Sequence, residues 1–262
     1  MHWRWQPKTL VKLQPMHLLA FDTSTEQMSV AVQRADGQRW AHTGAGGAQA
    51  SATLIPTVLA LLGQAQLTLS DLHAVVFGRG PGSFTGLRTA CSVAQGLAFG
   101  TTQPDGRSVP VLPVDTLLAV AEQARQQHGA QRVLAVLDAR MSEIYSAPYV
   151  HDRAHGWQML GELTVRPPQQ LALPADARHA DWVLAGNAFA DDYTQRFAAP
   201  LQGLPRLAVL PEATALLDLA PALLAAGRAV PADQALPLYI RDKVAQTTAE
   251  RAAQAASGTG GR

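Results

Sequence analysis

Residues 75–100, VVFGRGPGSFTGLRTACSVAQGLAFG, are the stretch around which the rest of this 262-residue chain is organised. The apolar run over residues 74–77 has the length of a buried strand. Gly78, Gly80, Pro81 and Gly82 then interrupt any regular element, since glycine admits positive φ and proline lacks a donor. Ser83 is placed to cap a helix over 84–99, its hydroxyl taking an otherwise unpaired backbone N–H. Within that helix Gly86, Ala90, Ala94 and Ala98 recur every four residues. Such a ridge of small side chains admits close approach, either by the chain's own sheet or by a partner helix. Strand, glycine-rich turn and helix N-terminus also suggest a phosphate cradle. The spacing fits neither standard form: no lysine follows the glycines, Arg88 is the nearest cation, and the last glycine of G-x-G-x-x-G is missing.

Composition sets outer limits. The chain is 47% hydrophobic and 16% charged, enough for a substantial core. A net charge of +1 gives no overall basic field of the kind a stand-alone nucleic-acid binder carries. The single cysteine, Cys91, cannot form an internal disulfide, which fits a reducing compartment. No apolar run approaches the ~20 residues of a membrane span and no signal peptide is visible, so a cytoplasmic location is expected.

Working outward, residues 1–15 have no periodicity and Met16 directly precedes the first strand. They are expected to be a dispensable extension, with translation beginning at Met16. Residues 17–21 read as a strand ending in Asp22-Thr23-Ser24-Thr25, followed by strands over 28–33 and 38–43 joined by Asp36-Gly37. Asp22, Thr23 and Ser24, with Gly82 and Ser83, form a candidate, degenerate phosphate site. Their alternative use is turn chemistry, since Asp, Ser and Thr bond their own backbones. A helical stripe covers 51–62, where Pro56 is expected to kink or restart the helix. A strand over 109–113 and a helix over 115–127 close a first lobe. A second lobe opens with another meander: a strand over 132–137, a turn at Asp138, a strand over 144–150 and a third over 157–165. A strand over 182–185 and a short helix to Phe197 follow. The expected units are thus 16–115, 116–210, a helix and extended segment over 211–245 returning to the first lobe, and a mobile tail over 246–262.

Four stretches together resemble one family. They are Asp22-Thr23-Ser24-Thr25, the run from Gly78 to Arg88, Asp138-Ala139-Arg140 with Glu143 and Tyr145, and Leu236-Pro237-Leu238-Tyr239-Ile240-Arg241. In this order they are similar to the bacterial TsaB (YeaZ) family of tRNA threonylcarbamoyladenosine biosynthesis proteins. The resemblance implies an α/β fold of the actin, hexokinase and Hsp70 type, with two ribonuclease-H-like lobes. It implies a non-catalytic role, binding and activating the paralogue TsaD, which places threonylcarbamoyl on the adenosine 3′ of the anticodon in ANN-reading tRNAs. The ATPase TsaE joins the assembly, tRNA is met through the complex, and the isolated protein can form homodimers. The two first-lobe helices are the implied contact surface, with Leu54, Ile55, Val58, Leu62, Phe84, Leu87, Ala90, Cys91 and Ala94 as the expected interface residues. No catalytic residue, metal or cofactor is expected. Relatives often carry a histidine before the serine that opens the first helix, where this chain has Ala50.

Enzyme readings have weaker support. His151 and His155 have the spacing of a helical metal pair but lie in a polar connection with no third ligand nearby in sequence. Ser83 has no neighbouring His/Asp signature for nucleophilic catalysis. A sugar- or acetate-kinase reading, the alternative from the same fold group, would need a nucleotide-binding glycine pair of which Gly186 is the sole remnant.

Overall fold

The computed structural model describes residues 15–103, 105–175 and 177–241. The expectations for residues 1–14 and for the tail beyond 241 lie outside these. Strand β1 (Leu18–Asp22) is buried throughout and pairs antiparallel with β2 (Gln27–Gln33), which pairs with the edge strand β3 (Arg39–Ala45). On its other side β1 runs parallel to β4 (Ala74–Gly80), and β4 to β5 (Val111–Asp115). The order β3-β2-β1-β4-β5 makes β1 and β4 interior strands. Both are therefore near-continuously apolar, as strands covered on both faces must be. Leu19, Phe21, Val75 and Phe77 point to one face, which α1 (Ala50–Gln64) and α2 (Phe84–Phe99) cover. Leu18, Ala20, Ala74 and Val76 point to the other, covered by α3 (Thr116–His128) and by a later helix, α6 (Ala213–Ala225).

The ridge on α2 is turned inward. Gly86, Ala90, Ala94 and Ala98 are buried, and the three alanines belong to the same core as Phe21, Val75 and Phe77. Small side chains let the helix seat closely on its own sheet. At Gly86 a Cβ would overlap the Thr23 carbonyl, whose hydroxyl in turn donates to the Gly86 carbonyl at 2.7 Å. Pro56 lies inside α1, which runs as one helix without restarting. It lies on the solvent side of a helix whose Leu54, Val58, Leu61 and Leu62 are anchored in the core, so packing overrides propensity.

The second sheet has the order β11-β10-β6-β7-β8, with β9 also pairing β7. Its strands are β6 (Arg132–Asp138), β7 (Ile144–Asp152), β8 (Gly156–Met159), β9 (Thr164–Arg166), β10 (Val183–Gly186) and β11 (Arg206–Ala208). The single third strand expected over 157–165 is two strands, β8 and β9, both pairing β7, with Gly161 at φ 137° between them. The helix expected up to Phe197 is one turn, α4 (Asp191–Thr194), and a second short helix, α5 (Ala199–Gln202), follows it. Helix α3 does more than close the first lobe. Its Ala119 packs into the first-sheet core while Leu117, Val120, Ala121 and Ala124 pack with Val133, Ala135 and Leu137 of β6.

Buried Glu122 on α3 fixes that shared helix. Arg125 donates to it at 2.6 and 2.7 Å, Gln126 at 3.2 Å, and the Trp157 indole of β8 at 2.8 Å. Burial alone would raise its pKa, but these donors outweigh burial and hold it below the usual carboxylate range. After α6 the chain runs extended along α2. The Ala235 carbonyl accepts from Gln95 Nε2 at 2.8 Å and from Cys91 Sγ at 3.1 Å, and Leu238 N–H donates to the Arg79 carbonyl at 2.7 Å.

Candidate functional site

The β1–β2 turn and the glycine-rich loop are built against each other. Ser83 N–H donates to the Ser24 carbonyl at 2.7 Å, and Ser83 Oγ caps α2 by accepting from Gly86 N–H at 3.5 Å. Asp22 Oδ1 accepts from both Ser24 N–H, at 2.8 Å, and Ser24 Oγ, at 2.6 Å. Its Oδ2 is buried with no hydrogen-bond partner and lies where a Cβ on residue 78 would stand, so that position admits only glycine. Burial pushes the Asp22 pKa up to about 6 against the opposing Ser24 bonds. The structure thus brings Asp22, Thr23, Ser24, Gly82 and Ser83 together, as the sequence suggested. It commits them to each other, however: Asp22, Thr23 and Ser24 are at most 2% exposed and both hydroxyls already donate inward. The turn-chemistry use is the one observed for Asp22, Thr23 and Ser24, while Gly82 and Ser83 line the open cleft beside them.

Beyond that junction a cleft of about 760 Å³ separates the two lobes. Residues from all four family-like stretches line it: Ser24 and Thr25, Gly82 to Phe84 with Arg88, Asp138 to Arg140 with Tyr145, and Leu238 to Arg241. On the second-lobe side the turn after β6 has an unusual backbone. Arg140, Met141 and Ser142 have φ of 61°, 55° and 59°, three consecutive left-handed residues with no glycine among them. Each costs about 1–2 kcal/mol relative to the right-handed form, so neighbouring bonds must hold the turn. Asp138 Oδ1 accepts from Arg140 N–H and from Tyr193 Oη, both at 2.7 Å, and Ala139 N–H donates to the Glu143 carbonyl at 3.0 Å. From the extended C-terminal segment, Arg241 forms an ion pair with Glu143 and donates to the Arg140 carbonyl at 3.4 Å. Asn187 Nδ2 reaches Glu26 Oε2 at 3.3 Å, a direct link across the cleft.

On the first-lobe side Phe84, Arg88 and Tyr239 cluster at the mouth. The Arg88 guanidinium lies 3.8 Å from the Phe84 ring centroid, and its Nε donates to Tyr239 Oη at 3.2 Å. Sequence reasoning singled out Phe84 and Arg88 separately and missed their association, for which the i,i+4 spacing is the available signal.

The expected interface residues divide. Leu54, Val58, Leu62, Leu87, Ala90, Cys91 and Ala94 are 0–5% exposed within the chain's own core, which corrects their assignment to an outward contact. Ile55 and Phe84 remain outward at 44% and 40%, and Leu59 at 53% and Phe99 at 83% join them. His151 lies on β7 with its ring 5.1 Å from Trp157, and His155 lies in the following turn with its ring on the Asp152 carboxylate at 3.0 Å. They do not share a helix face.

Two sheets, each opening with an antiparallel meander and sharing a central helix and an interlobe cleft, define a two-lobed α/β protein of the actin, hexokinase and Hsp70 class. The family model for TsaD, described as tRNA N6-adenosine threonylcarbamoyltransferase, matches residues 38–258. The chain is 34% identical to the tRNA threonylcarbamoyladenosine biosynthesis protein TsaB of Escherichia coli (strain K12), across 88% of this chain and 96% of that protein. It is 32% identical to the TsaB of Haemophilus influenzae, with the same coverage. A solved structure described as YeaZ from Pseudomonas aeruginosa superposes with a TM-score of 0.76 at 40% identity, covering 86% of this chain and 99% of that one. A second, described as having similarity to peptidase YEAZ from the same organism, gives 0.77 at 40% identity, covering 86% and 100%. The chain belongs to the TsaB (YeaZ) family, whose members act in tRNA threonylcarbamoyladenosine biosynthesis.

Proposed function

We propose that this protein is a non-catalytic subunit of the complex that installs threonylcarbamoyl on the adenosine 3′ of the anticodon in ANN-reading tRNAs. It acts by binding and activating a TsaD partner, works alongside TsaE, meets tRNA through the assembly, and resides in the cytoplasm. The observation that carries the reading is the outer surface of the first-lobe helix pair. Their inner faces form the core, yet the outer faces leave Ile55, Leu59 and Phe99 at 44%, 53% and 83% exposure. Ile55 and Leu59 stand one turn apart on α1, and large apolar side chains paired in this way on an outward face mark an interaction surface. The same surface suits a second copy of the chain when the partner is absent. The self-filled junction of Asp22–Ser24 with the glycine loop supports a binding role, because its hydroxyls are spent on backbone and carboxylate contacts. The test is to mix the purified chain with its TsaD, measure complex formation by isothermal titration calorimetry, and measure the dependence of threonylcarbamoyl transfer on the complex. A TsaD that transfers at full rate with no bound chain would overturn the reading.

A further inference from the structure

The four family-like stretches lie far apart in sequence and converge on one cleft, and its mouth carries planar and cationic groups together. Phe84 and Tyr239 are 40% and 46% exposed, with ring centroids 5.3 Å apart and a 37° tilt. Arg88 joins them, within stacking distance of Phe84 and bonded to the Tyr239 phenol. Among the described residues Arg88 has no carboxylate within ion-pair distance, whereas Arg140 and Arg241, which also line the cleft, do. An arginine spread on an aromatic ring and not neutralised offers a plane for another flat group and a charge for an anion. On the second-lobe side Arg140 projects from the left-handed turn with its side chain 81% exposed. The apolar lining includes Leu87 and Leu137, both buried, and Met141, which is 51% exposed. A flat ring plus an anionic group is the chemistry of a nucleotide, and unstacked RNA bases are bound on aromatic and guanidinium planes of this kind.

We propose that the cleft mouth seats one unstacked nucleotide of single-stranded RNA, its base on the planes of Phe84, Arg88 and Tyr239 and its phosphate drawn by the charge of Arg88. The RNA source rests on the reading of the chain as a subunit of a tRNA-modifying complex. The nucleotide lies outside the Asp22–Ser24 junction, which is closed by its own hydrogen bonds.

The test is fluorescence anisotropy at low salt with the full-length chain and a labelled anticodon stem–loop RNA, with partner binding measured in parallel on the same variants. Wild type is expected to bind saturably, and Arg88→Ala and Tyr239→Ala to weaken binding about tenfold or more, the scale of one lost base stack. Arg88→Lys, which keeps the charge and loses the plane, is expected to lose a comparable factor. Arg107→Ala removes an arginine that is 80% exposed and paired to Asp105, and is expected to leave binding unchanged. Free AMP is expected to displace the RNA only at large excess. Absence of saturable wild-type binding up to about 100 µM, the upper range of non-specific association, would overturn the proposal. So would equal weakening by Arg107→Ala, or displacement by AMP at parity, which would make a free nucleotide the ligand. Arg88→Ala that loses the protein partner while retaining RNA would assign the cluster to protein and also overturn it. Wild type that binds RNA through Arg88 but fails to bind TsaD would leave the nucleotide site standing and remove the subunit reading.

Discussion

The Asp22 carboxyl makes stability depend on pH in a direction opposite to most carboxylates. Its environment raises the folded-state pKa from 3.8 to about 6, with burial as the largest cause and the Ser24 bonds opposing it. The folded state therefore holds this proton more tightly than the unfolded chain does. Its contribution to stability is fully present below the unfolded value of 3.8 and is lost as pH rises through about 6. At 1.36 kcal/mol per pH unit the gap amounts to about 3 kcal/mol. Asn at position 22 keeps an oxygen for the two Ser24 donors and cannot ionise. Relative to wild type, Asp22→Asn should gain about 2.4 kcal/mol between pH 4 and pH 8, or roughly 5–10 °C in melting temperature for a chain of this size. Thermal melts of both proteins at pH 4, 6 and 8 read this difference directly, with other titrating groups cancelling. A difference that stays constant across the range would show that Asp22 does not titrate there. Wild type gaining on the variant toward pH 8 would show a compensating positive partner and refute the reasoning.

Ala94→Arg should abolish cooperative melting or lower it steeply, since it drives a charged side chain into the core formed by α2 and the first sheet, where an unpaired charge costs several kcal/mol; circular dichroism checks this, and a native melt would mean the ridge faces outward. Glu122→Gln should destabilise the chain by about 1–3 kcal/mol at neutral pH by weakening the charge-assisted bonds from Arg125 and the Trp157 indole. Because its folded-state pKa is lowered, Glu122 contributes stability above its ordinary value of 4.5 and loses it on acidification. Urea titrations should therefore find the variant's deficit at pH 7 shrinking toward pH 3, and a deficit independent of pH would contradict the assignment.

What could be read from sequence follows from where information is local. The strand at 74–77, the Ser83 cap and the end of α2 at Phe99 are all marked by residues adjacent to the feature, and all three appear in place. The small-residue ridge was equally visible, but periodicity alone does not say which surface fills it; only the burial of Ala90 and Ala94 decides that. The short elements α4, α5 and β11, of three or four residues each, are too brief to carry a period. The left-handed turn at Arg140–Ser142 contains no residue that favours positive φ. It is stabilised in part by Arg241, about a hundred residues further on, a long-range contact that no local pattern encodes. The four family-like stretches were legible as motifs, yet their convergence on one cleft required the chain to be folded.

The central claim is that the outer faces of α1 and α2 bind a TsaD partner. Ile55→Glu with Leu59→Glu tests it most directly, because both side chains are outward and neither contributes to the buried core. Burying a leucine-sized side chain is worth about 1.5–3 kcal/mol, and an unpaired carboxylate in the contact adds a desolvation cost of several more. Calorimetric titration of TsaD should therefore show binding weakened ~100-fold or more, with the melting temperature of the isolated variant unchanged. A double variant that melts like wild type and binds TsaD with undiminished affinity would contradict the account.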